Sequence, residues 1–117
     1  MTTTRTTSQT ALVTGAIVNL ASLAGRNGCL GGAAYSASKH AVLGFSRSLM
    51  LEARKDHIRV VAVCPGSVDP LMNHQDLLSP DLTQSLKPQD VADTVLATLW
   101  LPQRAMLSEL DIRPTYP

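Results

Sequence analysis

The hydrophobic residues of this chain form four short runs that predict β-strands. They cover residues 11–14, 17–21, 58–64 and 107–112. Runs of this length with few polar interruptions are typical of strands buried on both faces, as in a parallel sheet covered by helices. Gly15 stops the first run, and Pro65 with Gly66 stops the third.

Two longer segments show helical spacing instead. Residues 33–55 contain no proline and place apolar side chains on one stripe, with polar residues between them. The second segment begins at Pro88, a favourable first-turn residue, and carries an apolar stripe of Val91, Val95, Leu96 and Leu99. We expect Trp100 and Leu101, at the end of this helix, to close the core.

The order of these elements predicts an α/β fold. Strands that alternate with helices form βαβ units, which are right-handed crossovers on a parallel sheet. The sequence therefore predicts a partial, doubly wound sheet of three to four strands with two main helices. It forms a single domain over residues 11–117, and residues 1–10 are predicted to be a polar, disordered tail.

The first two runs are separated only by Gly15 and Ala16, too few residues for a parallel crossover. Three arrangements remain: an antiparallel hairpin with Gly15 at the first central turn position, one continuous strand, or a first run displaced from the sheet. We favour the continuous or displaced arrangement, because nothing polar marks a designed turn.

Composition excludes several classes of function. A net charge of +1 without a basic stripe argues against a nucleic-acid surface, and no apolar run approaches the roughly 20 residues of a membrane span. Cys29 and Cys64 make no disulfide framework, which fits a reducing cytoplasm. The three histidines have no metal-ligand spacing with the cysteines, so no metal site is expected.

Tyr35 and Lys39 are four residues apart on the first predicted helix, so their side chains share one face. A free phenol ionises only near pH 10 and is a poor base at neutral pH, but a neighbouring ammonium favours the phenolate. Such a tyrosine can exchange a proton with a carbonyl or alcohol oxygen. Ser22 ends the preceding strand, where ligands of open α/β sheets bind, and its hydroxyl could bond the same oxygen. Without further motifs, a tyrosine and a lysine at this spacing are more often ordinary neighbouring side chains on a helix than catalytic residues.

The wider set of motifs resembles the short-chain dehydrogenase/reductase family, classical type. This set of motifs consists of residues 17–22, the Tyr-Ser-Ala-Ser-Lys of residues 35–39, and residues 59–68. The resemblance covers about the last 100 residues, and Ser22 lies thirteen positions before Tyr35, as in the family.

The resemblance implies a Rossmann-like fold and NAD(P)-dependent interconversion of an alcohol and a carbonyl. It implies that Ser22, Tyr35 and Lys39 are catalytic, and that Lys39 also binds the nicotinamide ribose. The turn that contacts the nicotinamide would be formed by Pro65, Gly66 and Val68. Residues 69–86 would line the substrate pocket.

The chain departs from the family pattern after its first strand. Thr14 and Gly15 match the start of the glycine-rich cofactor loop, but Ile17 already resembles a much later strand. The sequence therefore indicates a large internal deletion that removes most of the cofactor-binding half. Without the helix N-terminus that holds a pyrophosphate, binding of NAD or NADP is weakened.

Two functions from different classes remain open. One is an oxidoreductase acting on a small alcohol or carbonyl. The other is a non-catalytic fragment that self-associates or binds intact subunits of the family, because the helix of residues 33–55 resembles the family's dimer helix. In both cases we expect a homo-oligomer through residues 33–55.

Overall fold

The computed structural model describes residues 9–13, 15–68 and 85–115. The elements follow the predicted order, with two short 3-10 turns around the first helix. They are β1 (Gln9–Val13), β2 (Ala16–Leu20), a 3-10 turn (Leu23–Gly25), α1 (Ala33–Ala53), a second 3-10 turn (Arg54–Asp56), β3 (Arg59–Pro65), α2 (Pro88–Leu99) and β4 (Glu109–Ile112).

The four described strands form one sheet in the order β1-β2-β3-β4. β2 pairs in parallel with β3, and β3 with β4, with α1 and α2 as the crossovers. The predicted α/β fold with a parallel sheet and two main helices is confirmed.

The two helices cover opposite faces of the sheet. Successive residues of a strand point to opposite faces, so β3 contributes to two separate clusters. One face packs Ala62 and Cys64 against Leu43 of α1. The other packs Val61 and Val63 against three residues of α2: Val91, Val95 and Leu99. Six of the seven residues of β3 are buried, which explains its nearly continuous apolar sequence.

The connection between the first two strands differs from the arrangement that we favoured. β1 and β2 pair antiparallel from Val13 opposite Ala16 outward, so a two-residue turn joins them. Gly15 occupies the second position of that turn, with a φ of 77°, a conformation that glycine adopts without steric cost. The positive φ, rather than a polar residue, makes the hairpin possible.

Three further expectations change. β1 begins at Gln9, so the strand includes the last two residues of the segment predicted as a tail. Leu96, one position after Val95 in the predicted stripe, is 51% exposed, and Trp100 is 85% exposed and does not close the core. Val91, Val95 and Leu99 recur every four residues on the buried stripe of α2, and Trp100, one position further, lies off that stripe.

Candidate active site

The carboxyl ends of the parallel strands meet at one edge of the sheet, which we call the carboxyl edge. The backbone N–H of Ala21 donates to the carbonyl of Val63 at 2.8 Å, which continues the pairing of β2 with β3 past the end of β2. Ser22 follows at once, and its Oγ accepts a hydrogen bond from the N–H of Ala24 at 3.1 Å. The Ser22 hydroxyl therefore lies at the strand tip and caps the 3-10 turn.

This 3-10 turn packs directly on the start of α1. Ser36 is buried, and its hydroxyl donates to the carbonyl of Ala24 at 2.8 Å. A Cβ atom at Gly25 would lie 2.7 Å from the carbonyl oxygen of Lys39, so only glycine permits this approach. The contacts fix the segment after Ser22 against the first turns of α1.

Tyr35 and Lys39 lie in these first turns. The Lys39 ammonium is 5.7 Å from the centre of the Tyr35 ring and 3.5 Å from the carbonyl oxygen of Leu20, the last residue of β2. Tyr35 is 47% exposed. The structure thus brings Ser22, Tyr35 and Lys39 to the carboxyl edge, with the ammonium near both the aromatic ring and the strand end. A proton-exchanging hydroxyl, a hydrogen-bonding hydroxyl and a fixed positive charge are the components that chemistry at a carbonyl or alcohol oxygen needs.

The turn after β3 lies at the same edge. Pro65 is the buried last residue of β3, and the N–H of Gly66 donates to the carbonyl of Ile112 at 2.8 Å. A Cβ atom at Gly66 would lie 3.1 Å from Cδ1 of Leu23, the residue after Ser22. Val68 forms a parallel bridge with Leu86. Residues 69–84, most of the segment predicted to line the substrate pocket, lie outside the described residues.

Gly15 is not brought together with the other predicted site residues. It precedes β2, and its carbonyl accepts from the N–H of Arg59 at 2.9 Å, at the amino end of β3. Because β1 runs antiparallel to β2, the carboxyl end of β1 meets the amino end of β2. The predicted phosphate-loop glycine therefore lies at the opposite edge of the sheet from Ser22. Thr14 lies outside the described residues.

An ion-pair cluster that the sequence analysis missed holds the carboxyl edge together. Arg26, which follows the 3-10 turn, pairs with Asp111 at 2.5 Å and with Glu109 at 2.8 Å. Arg47 of α1 pairs with Glu109 at 2.6 Å. The cluster joins the segment after Ser22, α1 and β4.

Hydrogen bonds from Arg47 and then Arg26 hold the pKa of Glu109 below its usual range. The hydrogen bond to Asp111 contributes most to raising the pKa of Arg26. Glu109 and Asp111 are two residues apart and therefore lie on the same face of the last strand, which the sequence shows. This spacing does not identify their partner, because Arg26 and Glu109 are 83 residues apart.

The part of the chain that the structure describes contains no group of three or more side chains of the metal-binding types placed to hold an ion. None of its helices is long and apolar enough to cross a membrane.

Comparisons with known proteins agree with these features. Residues 1–79 match the short chain dehydrogenase family. Carbonyl reductase family member 4 of Xenopus laevis is 38% identical over 94 residues, which is 75% of this chain and 39% of that protein. An uncharacterized oxidoreductase of Staphylococcus aureus (strain USA300) is 32% identical over 100 residues, covering 86% of this chain and 42% of the relative.

Solved structures show the same fold. The alcohol dehydrogenase from the archaeon Thermococcus sibiricus, complexed with 5-hydroxy-NADP, superimposes with a TM-score of 0.72 at 25% identity, over 86% of this chain and 42% of that one. The chain thus spans less than half the length of each of these relatives. The family match extends over more than half of this chain, and the fold and relatives agree with it. This protein belongs to the short chain dehydrogenase family.

Proposed function

We propose that this chain carries the proton-transfer part of an NAD(P)-dependent oxidoreductase site that interconverts an alcohol and a carbonyl. The observation that carries the proposal is the position of the Lys39 ammonium. It lies 5.7 Å from the Tyr35 ring centre and 3.5 Å from the end of β2, two residues before Ser22. A positive charge at this point can stabilise the negative charge that develops on the tyrosine oxygen while a proton is transferred.

Each side chain takes one role in this proposal. Tyr35 donates a proton to the carbonyl oxygen in reduction and accepts it from the hydroxyl in oxidation. The Ser22 hydroxyl bonds the same oxygen and orients it. Lys39 supplies the charge and would hold the cofactor ribose. Tyr35 is half exposed, so a substrate reaches it from solvent without opening the core.

The residues present suit the nicotinamide end of a cofactor better than its phosphates. When bound, the nicotinamide supplies or receives the hydride. Lys39, Pro65, Gly66 and Val68 would hold this end, since the turn after β3 packs beside the segment that follows Ser22. Gly15 lies at the opposite edge and offers the pyrophosphate nothing there. We therefore expect weak binding of NAD or NADP.

A titration tests this proposal. NADPH and NADH are added to the chain while the fluorescence of the reduced nicotinamide is followed. We expect saturable binding in the millimolar range that weakens in Lys39→Ala and is unchanged in Lys55→Ala, an exposed lysine beyond the end of α1. Binding that does not saturate at cofactor concentrations well above this range would exclude independent oxidoreductase activity.

The exposed side of α1 supports a second function, association with another subunit. Phe45 and Leu51 are 58% and 65% exposed, and a Cβ atom at Gly44 would meet nothing within 4 Å. A helix whose outer side faces only water carries charged residues there. The occupants that we propose are a second copy of this chain or an intact family subunit.

Sedimentation tests this second function. We expect a dimer that Phe45→Glu dissociates and Trp100→Glu leaves intact, because Trp100 is an exposed apolar residue on α2 rather than on α1. A monodisperse monomer that also fails to capture an intact homologue would contradict it.

We further propose a cytoplasmic location, which rests on the free thiols of Cys29 and Cys64.

A further inference from the structure

A cavity opens at the edge of the sheet opposite Ser22, beside the amino end of β3. It has a volume of about 280 Å³ and lies between the segment that follows α1 and the segment that follows α2. Arg54, His57 and Arg59 line one side, and Gln103 and Arg104 line the other. Three of the lining side chains carry a positive charge at neutral pH, and none is acidic.

Hydrogen bonds hold the two walls of this cavity together. The side-chain amide of Gln103 donates to the carbonyl of His57 at 3.0 Å. The Arg59 guanidinium donates to the carbonyls of Leu101 at 3.1 Å and Leu99 at 3.3 Å, at the end of α2. Gln103 and the Arg59 guanidinium are therefore fixed before a ligand arrives, which lowers the entropy cost of binding.

The positive charges of this cavity are not neutralised. Within residues 15–68 and 85–115, the arginines near β4 pair with carboxylates, whereas Arg54, Arg59 and Arg104 form no ion pair. The Nε atom of Arg59 is shielded from solvent and has no hydrogen-bond partner among the described residues. Like charges gathered on a concave surface focus the electrostatic potential and attract an anion.

We propose that this cavity binds a phosphate-type oxyanion, either inorganic phosphate or the phosphate group of a small monoester. Guanidinium groups match the geometry of phosphate oxygens, and a multiply charged anion balances three arginines better than a single carboxylate does. The volume is close to the lower limit of about 300 Å³ for pockets that hold small organic ligands. The site lies where the amino ends of the parallel strands meet, which we call the amino edge, and is independent of the function proposed above.

Titration of the whole chain with inorganic phosphate, followed by amide chemical shifts, tests this site. Phenyl phosphate is titrated in parallel to separate a monoester site from a free-phosphate site, and chloride and acetate at equal ionic strength report non-specific charge effects. The variants are Arg54→Gln and Arg104→Gln. Lys55→Gln is the matched control, because it removes the same charge from the same 3-10 turn without lining the cavity.

We expect saturable shifts at His57, Gln103 and Arg104 with phosphate or phenyl phosphate and not with chloride or acetate. Each arginine variant should weaken affinity by about tenfold, the effect of one charge-assisted hydrogen bond. Lys55→Gln should change affinity by less than about twofold, as expected of an exposed charge outside the site.

Equal responses to phosphate and chloride would overturn the proposal. So would a loss in Lys55→Gln that equals the loss in Arg54→Gln, because both residues would then attract the anion only through their general positive charge. A variant is compared only after its amide spectrum shows the parent fold.

Discussion

The two edges of the parallel sheet carry different kinds of polar groups. At the carboxyl edge, Ser22, Tyr35 and Lys39 gather around the end of β2, and Gly66 packs beside them. At the amino edge, Gly15 turns the chain and Arg59 borders a basic cavity. One edge presents hydroxyls and an ammonium, and the other presents unneutralised guanidinium groups.

This difference shows that the direction of a strand decides at which edge of the sheet the residues that follow it lie. Gly15 follows an apolar strand, as the first glycine of a cofactor loop does, but its strand runs antiparallel to β2. Gly15 therefore lies at the amino edge, away from Ser22. The carboxyl edge is held by long-range contacts, such as Arg26 with Glu109, whereas the hairpin at the amino edge is a local structure.

The largest expected effect is on proton transfer at the carboxyl edge. Tyr35→Phe removes the phenolic hydroxyl and should lower turnover of a carbonyl probe with NADPH by about 10² to 10⁴. Tyr35 is half exposed, so stability should be unchanged. Ser48→Ala, which removes another exposed hydroxyl of α1, is the control. Equal rates in both variants would remove Tyr35 from the proposed mechanism.

A second pair of variants compares a tight glycine with an open one. Gly25→Ala brings a Cβ atom to 2.7 Å from the backbone carbonyl oxygen of Lys39, and overpacking of this kind lowers the free energy of unfolding by about 1–3 kcal/mol. Gly44→Ala, on the open side of α1, should raise it by about 0.5–1 kcal/mol. Chemical denaturation measures both. The same sign for the two variants would contradict the close packing at the carboxyl edge.

A third prediction concerns the turn at the amino edge. Gly15→Ala forces a side chain into a φ of 77° and should lower the free energy of unfolding by about 1–2 kcal/mol. Gly15→Asn should cost less, because asparagine tolerates this conformation. NADPH affinity should be the same in both variants as in the parent. A loss of affinity in Gly15→Ala matching that of Lys39→Ala would show that Gly15 acts with the carboxyl edge.

The smallest expected effect is electrostatic. Glu109→Gln removes the charge that pairs with Arg26 and Arg47, and should lower the free energy of unfolding by about 1 kcal/mol at neutral pH. The pKa of Glu109 is lowered in the folded state, so this stabilisation is complete above the unfolded value of about 4.3 and is lost as the pH falls through the lower folded value.

Denaturation at neutral and acid pH measures that dependence. The difference between the parent and Glu109→Gln should vanish in acid. Glu52→Gln is the control, because Glu52 is exposed on α1 and forms no ion pair with a described residue. A difference that persists in acid would assign the effect to packing instead of charge.

Most of the local structure could be predicted from the sequence. The run of residues 58–64 and the proline-free segment 33–55 correspond to β3 and α1 within a few residues, because period and composition are local properties. The placement of Trp100 could not be read in this way. It depends on which side of α2 meets the sheet, and the stripe of Val91, Val95 and Leu99 decides that.

The candidate site was predicted in part. The spacing of Ser22, Tyr35 and Lys39 placed them on elements that meet at one edge, and the structure brings them there. The packing of Gly25 on the Lys39 carbonyl and the pairing of Arg26 with Glu109 were not predictable, because neither follows from spacing along one element. The catalytic roles of Ser22, Tyr35 and Lys39 stay a prediction until the variants are measured.

The sequence by itself determined the strands, the helices and the one-turn separation of Tyr35 and Lys39, because each depends on neighbours a few residues apart. The alternation of strands with helices also indicated the parallel crossovers. Only the tertiary structure decided that Gly15 turns a hairpin away from Ser22, and that Arg54, Arg59 and Arg104 share a cavity without a carboxylate. Strand direction and long-range packing decide which distant residues meet, and a local pattern does not contain them.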